Sequence, residues 1–404
     1  MNIWYLSAYD QPRGQSSRTY DFSLELVRRG HNVTMFTNSY CHFTHTERLS
    51  PHEKWRIENI KDIRIVWLKT IHYSSNGWRR MANMLSNVYR VLQVADTLKE
   101  RPDIIIGPSV PLLTGWAAYK IAKKKKAVFI FEVRDIWPQA LVDLGVLRKN
   151  SIPYKLLRFL EKYLYKKAHR VSAVLPYTWK HVGDTGVSSG KVYWIPNGAN
   201  LERFEDLPPY DGDRSPLTAM YVGGFSFTHD VSNILRAAKI LRERAFTGYK
   251  FIIVGSGQRR SECEEEANDL NVRVEFREPV PKSEIPLLQM DADVLIASVK
   301  DTPVYQFGIN SNKIYDYLAS ARPIIFSGNA PNDPIAESGS GLSIPPENPA
   351  LMAEALCKIY EMSPQERVEM GKRGRHYVEN EFNIKILAER MESLFLQAIN
   401  DKGK

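Results

Sequence analysis

Short runs of apolar and β-branched residues alternate with longer segments of helical periodicity along the whole chain. Some of these runs, such as 127–133, are apolar at consecutive positions, which is typical of strands buried on both faces of a parallel sheet. In the first half the pattern predicts strands at 2–8, 32–38, 63–69, 103–107, 127–133, 170–177 and 191–197. In the second half it predicts strands at 217–223, 249–255, 272–277, 293–298, 322–327 and 342–344.

Helical periodicity occupies several of the gaps, at 18–29, 154–168, 231–245, 349–361 and 384–399. Strand–helix repetition of this kind predicts right-handed βαβ units and doubly wound parallel sheets. A turn-rich stretch near 196–216 separates two such series. We therefore predict an α/β protein with domains at 1–198 and 199–383 and a C-terminal helix within 384–404 that packs back toward the first domain. The strand ends of both domains are expected to face a common cleft.

The amino-acid composition limits the classes of protein to which the chain can belong. The chain has 404 residues, of which 43% are hydrophobic and 25% charged, which excludes wholesale disorder. It contains no apolar stretch of the roughly 18 residues needed to cross a bilayer, and its start lacks the features of a signal peptide. The three cysteines are scattered, and two Asp-x-Asp triplets, 211–213 and 291–293, are interpreted as turns or caps. We expect a cytoplasmic protein and assign no metal.

Charge is distributed unevenly along the chain. Residues 1–200 contain 31 Lys and Arg against 15 Asp and Glu, whereas the remaining residues contain 24 against 31. A basic half joined to an acidic half indicates an anionic partner for the first domain, with nucleic acid, phosphorylated ligands and acidic lipid all possible. The segment 154–170 has basic residues at helical spacing beside leucines, as in a helix that lies on acidic lipid or a solvated outer helix. These residues are Lys155, Arg158, Lys162 and Lys166.

Three glycine-containing turns follow predicted strands: AYDQPRGQSSR around Gly14, YVGGFSFTHD at 221–230 and FIIVGSGQRR at 251–260. Glycine before a helix leaves backbone N–H groups accessible to a phosphate, although ordinary βα turns use glycine as well. None of them has the G-x-G-x-x-G pattern of a dehydrogenase or a Walker ending. Two of these turns follow strands of one predicted sheet, and a nucleotide is expected to bind beside them.

Two further segments combine charge with strand or helix ends. In FGINSNKIYDYLASARPII (307–325), a polar stretch opens a helix, and its lysine and aspartate suit a diphosphate and a ribose. An N-capped helix with a surface lysine would look similar. FIFEVRDIWPQ (129–139) follows an apolar strand with a cluster of charges, which favours a functional site over packing. The residues concerned are Asn310, Ser311, Asn312, Lys313 and Asp316 in the first segment, and Glu132, Arg134, Asp135 and Trp137 in the second.

The order of these features resembles the retaining glycosyltransferases of family 4, which have the GT-B fold of two Rossmann-like domains. The matching features are the Gly14 loop, PNGAN at 196–200, VGG at 222–224, VGSG at 254–257 and NSNKIYDYLASARPII at 310–325. Within that family, FEVRDIWP and the Asn-Lys block are most similar to WbuB-like bacterial transferases of amino sugars such as N-acetylfucosamine. Those enzymes act in O-antigen or capsule synthesis.

The resemblance implies a nucleotide-sugar donor in the second domain, an acceptor in the first, and no obligatory metal or other cofactor. Applied to this chain, it gives a catalytic group of Glu132, Arg134, Asp135 and Lys313. The donor-binding group is Gly14, Gly223, Gly224, Gly255, Gly257, Arg259, Asn310, Ser311, Asn312, Lys313 and Asp316. The acceptor-binding group is Arg13, Ser16, Ser17, Arg18 and Trp137.

The sequence departs from the family pattern at two places. Gly308 and Asp316 stand where the family has Glu-x7-Glu, and the usual Arg and Lys are missing from GGFSFTHD. Our hypothesis is that Lys313 supplies the missing phosphate charge.

The expected function is transfer of an N-acetylated or deoxy hexose from a UDP-sugar, with retention, to a glycan or polyprenyl-diphosphate-sugar acceptor. The protein is then expected at an anionic membrane surface on the cytoplasmic face of the inner membrane. The alternatives are a UDP-sugar epimerase of the same fold and a nucleic-acid-binding protein that uses the basic half. The second is disfavoured because no nucleic-acid-binding motif is present.

Overall fold

A computed structural model describes residues 1–10, 18–41, 46–73 and 77–402, and the chain forms two compact units. The first unit consists of Met1–Pro196 together with Ile384–Lys404, and the second is Asn197–Asn383. The chain therefore passes between the units two residues before the boundary predicted at 198, and its last helix is part of the first unit.

The described part of the first unit contains one large sheet of order β10-β9-β8-β7-β1-β2-β6-β5, parallel except for the edge pair β5–β6, and a small hairpin of β3 and β4. The order reverses between β1 and β7, which is the place where doubly wound sheets bind ligands. The strands are Asn2–Leu6 (β1), Asn32–Asn38 (β2), Tyr40–Cys41 (β3), Thr46–Glu47 (β4), Trp55–Ile60 (β5), Ile63–Leu68 (β6), Ile104–Pro108 (β7), Val128–Val133 (β8), Arg170–Ala173 (β9) and Val192–Trp194 (β10).

Helices cover both faces of this sheet. The right-handed crossovers place α2, α3 and α5 in one layer, with α3 in contact with both neighbours, and place α1 on the opposite face against the C-terminal helix. Their bounds are Arg18–Arg28 (α1), Trp78–Thr97 (α2), Leu112–Lys125 (α3), Gln139–Asp143 (α4), Ile152–Lys167 (α5), Thr178–Asp184 (α6) and Ile384–Lys402 (the C-terminal helix). None of the helices in the described ranges is long and apolar enough to cross a membrane.

The described residues of the second unit form a six-stranded, fully parallel sheet of order β13-β12-β11-β14-β15-β16, which reverses between β11 and β14. Its strands are Leu217–Val222 (β11), Tyr249–Val254 (β12), Val274–Arg277 (β13), Val294–Ser298 (β14), Ile324–Ser327 (β15) and Gly341–Ile344 (β16). Its helices are Val231–Glu243 (α7), Arg260–Asp269 (α8), Ile285–Gln289 (α9), Asn312–Ala319 (α10), Pro334–Ser338 (α11), Pro349–Glu361 (α12) and Pro364–Glu381 (α13).

The predicted class of two doubly wound parallel-sheet domains is thereby confirmed, and the predicted strands are all present with small shifts at their ends. The predictions for 170–177 and 191–197 are too long, because these strands end at Ala173 and Trp194. The sequence pattern missed β5. Three of its six residues, WRIENI, are polar and none is fully buried, because the strand pairs with β6 at the edge of the sheet.

The C-terminal helix contributes to the core of the first unit, and this gives a direct test of its packing. Phe395 is fully buried among β-strand side chains, whereas its neighbour Leu396 is half exposed. We expect Phe395→Ala to lower the free energy of unfolding by about 3–5 kcal/mol, because it leaves a cavity. Leu396→Ala, the matched control, should change it by less than about 1 kcal/mol. Urea titration of the full chain measures both, and equal effects would contradict this packing.

Candidate functional site

Two glycine turns meet at the carboxyl end of the second sheet. A Cβ added to Gly255 would lie 1.9 Å from the carbonyl oxygen of Gly223, and one added to Gly257 would lie 2.6 Å from that of Phe225. Both positions also have positive φ angles, 145° and 153°, which side chains rarely adopt. The turns after β11 and β12 therefore approach each other at backbone contact distance, which only glycine permits.

Lys313, in the first turn of α10, reaches this pair of turns. Its Nζ donates a hydrogen bond of 2.8 Å to the Tyr221 hydroxyl and lies 4.1 Å from the centre of the Tyr221 ring. A Cβ added to Gly223 would lie 2.5 Å from the same Nζ. The ammonium group is therefore held against the backbone at the end of β11, beside the point where the strand order reverses.

The Lys313 ammonium group has no carboxylate partner among the described residues. Burial lowers its pKa to about 7, because the protein displaces the water that would stabilise the charge. A partly buried cation without a counter-ion is costly, and an anion that binds next to it removes that cost. The position of Lys313 is therefore suited to a phosphate group.

Three further side chains, which the sequence analysis did not single out, hold the glycine turns and α10 in place. The Tyr221 hydroxyl donates to the Gly224 carbonyl oxygen at 2.8 Å, and Nδ1 of His229 lies 2.7 Å from that same oxygen. Burial and, second, the charge of Lys313 lower the pKa of His229 to about 4, so its ring is neutral at pH 7. The Tyr317 hydroxyl accepts from the Val222 amide at 2.8 Å and donates to the Val222 carbonyl, which fixes α10 against β11.

The other predicted donor residues of the second unit have varied surroundings. Oδ1 of Asn310 accepts from the Asn197 amide and from the Tyr315 hydroxyl, both at 3.0 Å, so it ties PNGAN to the start of α10. Arg259 pairs with Glu262 within its own helix turn. Ser311 is the residue before α10, and Asp316 is buried within that helix. Their predicted contacts with a donor stay predictions.

In the first unit, Glu132 lies at the carboxyl end of β8 and is fully buried. Its Oε1 accepts from the Tyr5 hydroxyl at 2.5 Å and from Nε of Arg18 at 2.8 Å, and its Oε2 accepts from Nε of Arg134 at 2.7 Å. Nη1 of Arg134 continues the network to Asp10 at 2.8 Å. Tyr5 and Asp10, from the end of β1, thus join the predicted residues here.

This network fixes the charge state of Glu132. Burial alone would raise its pKa, but the two guanidinium groups, Arg134 first and then Arg18, hold the pKa at about 2. Arg18 also donates to the carbonyl oxygens of Ile195 and Pro196, at 2.8 and 2.6 Å. A carboxylate so enclosed can orient its partners but cannot itself reach a substrate. The predicted catalytic contribution of Glu132 stays a prediction, and the geometry favours an indirect form of it.

Asp135 and Trp137 follow β8 and lie nearer the surface. Asp135 is exposed to solvent. Its backbone is fixed because Ser109, at the end of β7, donates to its carbonyl oxygen at 3.0 Å. Trp137 is half-buried. Asp135 is thus the carboxylate of this cluster that is accessible from outside.

Four predicted residues, Arg13, Gly14, Ser16 and Ser17, lie outside the described ranges.

Comparison with known proteins gives matches to both halves of the chain. Residues 13–198 match the family described as glycosyl transferase 4-like domain, and residues 216–362 match glycosyl transferases group 1. The chain is 24% identical over 307 residues to the probable glycosyltransferase WbjE of Pseudomonas aeruginosa, covering 71% of this chain and 74% of that protein.

Among solved structures, sucrose-phosphate synthase of Thermosynechococcus elongatus is similar with a TM-score of 0.75 and 18% identity, over 99% of each chain. The trehalose-6-phosphate protein of E. coli bound with UDP-2-fluoro glucose has a TM-score of 0.75 and 13% identity, over 98% of this chain and 99% of the other.

The buried carboxylate makes a pH-dependent prediction. Glu132→Gln should cost about 3–5 kcal/mol of stability at pH 7, since it leaves buried guanidinium charge uncompensated. Because the folded-state pKa lies below the unfolded value of about 4.3, this stability is fully present above pH 4.3 and is lost toward about pH 2. In urea titrations at successive pH values, the free energy of unfolding of the variant should therefore fall less than that of the parent as the pH is lowered toward about 2. Glu389→Gln, which removes an exposed pair with Arg29, is the control. A parent and variant with parallel acid limbs would contradict the assignment.

Proposed function

The chain is a glycosyltransferase of the GT-B fold, with a glycosyl transferase 4-like domain followed by a group 1 domain, and we propose that it transfers a sugar from a UDP-sugar to a lipid-linked glycan precursor with retention. The observation that carries the donor half of this proposal is the position of Lys313 at the strand ends of the second unit, where no described carboxylate pairs with it.

The second unit holds the donor in this proposal. Lys313 faces the diphosphate, with the glycine turns at Gly223 and Gly255 allowing close approach of the backbone. Asp316 accepts from the ribose hydroxyls. The neutral His229 lies next to Lys313 without adding competing positive charge. The UDP-bound sugar named for the E. coli relative supports this choice of nucleotide.

The first unit holds the acceptor, with Asp135 as the accessible carboxylate and Arg134 fixed beside it. In the transfer, the bond from the anomeric carbon to the UDP oxygen breaks, and the acceptor oxygen bonds to that carbon on the same face. The proton of the acceptor hydroxyl goes to the departing phosphate oxygen. Lys313 stabilises the charge that develops on that phosphate, as a preorganised cation does. Glu132 acts through Arg18 and Arg134, which it positions.

The transferred sugar in this proposal is an N-acetylated or deoxy hexose, and the product enters a bacterial surface polysaccharide. The similarity of FEVRDIWP and the Asn-Lys block to amino-sugar transferases supports this. The acceptor is a polyprenyl-diphosphate sugar at the cytoplasmic face of the inner membrane. Both family matches favour transfer over the epimerase and nucleic-acid alternatives. Incubation with the UDP-sugar alone distinguishes them further, since only an epimerase converts it.

Lys313 should make UDP binding depend on pH. Its pKa is about 7 in the free protein, and a bound diphosphate raises it, so binding takes up a proton above neutral pH. We expect UDP affinity to fall by as much as about tenfold per pH unit between about pH 7.5 and 9.5. Lys313→Gln should bind UDP more weakly and with no such slope in calorimetric titrations. Lys239→Gln, on the outer helix α7, should behave like the parent. A slope retained in Lys313→Gln would contradict the donor site.

Asp135 and Asp316 should affect different steps. Asp135→Asn should reduce transfer to a polyprenyl-diphosphate-sugar acceptor while UDP affinity stays within about twofold. Asp316→Ala should weaken UDP binding by roughly 1.5–3 kcal/mol, because the ribose hydroxyls lose a charged acceptor. UDP release and UDP calorimetry measure the two effects. If Asp135→Asn lost UDP binding as strongly as Asp316→Ala, the division of donor and acceptor between the units would be wrong.

A further inference from the structure

The outer face of α5 carries large apolar side chains that no other part of the described chain covers. Ile152, Leu156 and Phe159 are 75, 64 and 72% exposed. They lie four and three residues apart, so they form one stripe on the helix. Lys155 and Lys162 are exposed beside this stripe. A solvated outer helix would present polar side chains at these positions.

A second stripe lies on α2 in the same layer of helices. Met81, Leu85 and Tyr89 are exposed and recur at three- and four-residue intervals along the helix, continuing from the exposed Trp78. Because α3 contacts both α2 and α5, the two stripes lie on either side of it. We call the exposed side chains of α2, α3 and α5 the three-helix face.

Charge on the three-helix face is predominantly positive. The three helices together contain 12 Lys and Arg against 2 Asp and Glu. Lys124 and Arg158 are paired with the two acidic residues, Asp96 and Glu161. Arg158, which the sequence analysis grouped with the exposed lysines, is therefore bound to the buried Glu161 and is not one of the available charges.

The direction of the helices shows which part of the three-helix face lies near the carboxyl ends of the strands. Each helix follows a parallel strand and runs back along the sheet, so its first residues lie near the carboxyl ends of the strands. The apolar residues of α5 lie in its first half, and its lysines Lys162, Lys166 and Lys167 lie in its second. The apolar part of the three-helix face is thus on the side of the sheet edge that carries Asp135.

We propose that the three-helix face binds an anionic lipid bilayer, with its apolar stripes inserted among the headgroups and its lysines against the lipid phosphates. This arrangement brings the Asp135 edge of the sheet toward the membrane, where the acceptor of the proposed function is carried. Only the link to the acceptor rests on the proposed function, because lipid binding itself is measured without donor or acceptor. Apolar side chains with flanking lysines on one helix face are the composition of interfacial helices.

Charge favours a lipid surface over a second copy of the chain. A symmetric dimer through this face would bring two strongly basic surfaces together, and like charges across an interface oppose association. An anionic bilayer neutralises the same lysines. The inserted side chains distinguish this proposal from purely electrostatic attraction, which salt would abolish.

The test is flotation of the full chain with vesicles of phosphatidylcholine that contain about 30% phosphatidylglycerol, compared with phosphatidylcholine alone. The parent should float with the anionic vesicles, and part of the binding should persist at about 0.5 M NaCl. Leu156→Ser combined with Phe159→Ser should reduce flotation at least about fivefold and abolish the salt-resistant part. Leu396→Ser, an exposed residue on the opposite face of the same sheet, is the matched control and should float like the parent.

A second pair of variants tests the charges. The triple change of Lys155, Lys162 and Lys166 to Gln should reduce vesicle binding at low salt. The control is the same triple change at Lys250, Lys358 and Lys372 of the second unit, which should leave binding unchanged. Urea titration of each variant shows whether the first unit is still folded, so loss of flotation with unchanged stability supports the inference by itself. Flotation equal in the Leu156/Phe159 variant and in the Leu396 control would overturn it. Absence of flotation with concentration-dependent dimerisation would assign the face to a second copy.

Discussion

The candidate site of the second unit depends on the placement of Lys313, which has no carboxylate partner among the described residues. Lys313 occupies its place because Gly223 has no side chain, because Tyr221 accepts its hydrogen bond, and because Tyr317 fixes α10 to the end of β11. Because the turns at Gly223 and Gly255 are in backbone contact, main-chain atoms line this part of the site. A site built in this way is open to an anion and lowers the cost of the desolvated charge when one binds.

The buried carboxylate of the first unit differs from Lys313 because its charge is compensated within the protein. Glu132 is buried at the strand ends but is fully compensated by Arg18 and Arg134. Its network therefore provides rigidity, and the accessible chemistry lies at Asp135, one turn of chain further on. The two doubly wound sheets thus differ at their strand ends: Glu132 is paired with guanidinium groups, whereas Lys313 has no carboxylate partner among the described residues.

Much of the fold followed from the sequence because buried parallel strands are apolar on both faces, as in β8 and β11. The exposed edge strand β5 was missed since its polar residues give no such signal. In the site, the glycine turns were recognisable from their positions after strands, and Lys313 from its place in the polar stretch that opens α10. Tyr221 and Tyr317 were not, because an aromatic residue in a strand or helix normally indicates core packing, and only the structure shows where the hydroxyl groups point. The full burial of Glu132 likewise depends on Arg18, distant in sequence.

Amide hydrogen exchange of the full chain with and without UDP tests the central claim most directly, since it locates the nucleotide without a substitution. Binding of UDP in the second unit predicts slower exchange at the turns around Gly223 and Gly255 and at the first turn of α10, with little change at the end of β8. Protection at the residues that follow β8, with unchanged exchange at the turns of the second unit, would contradict it.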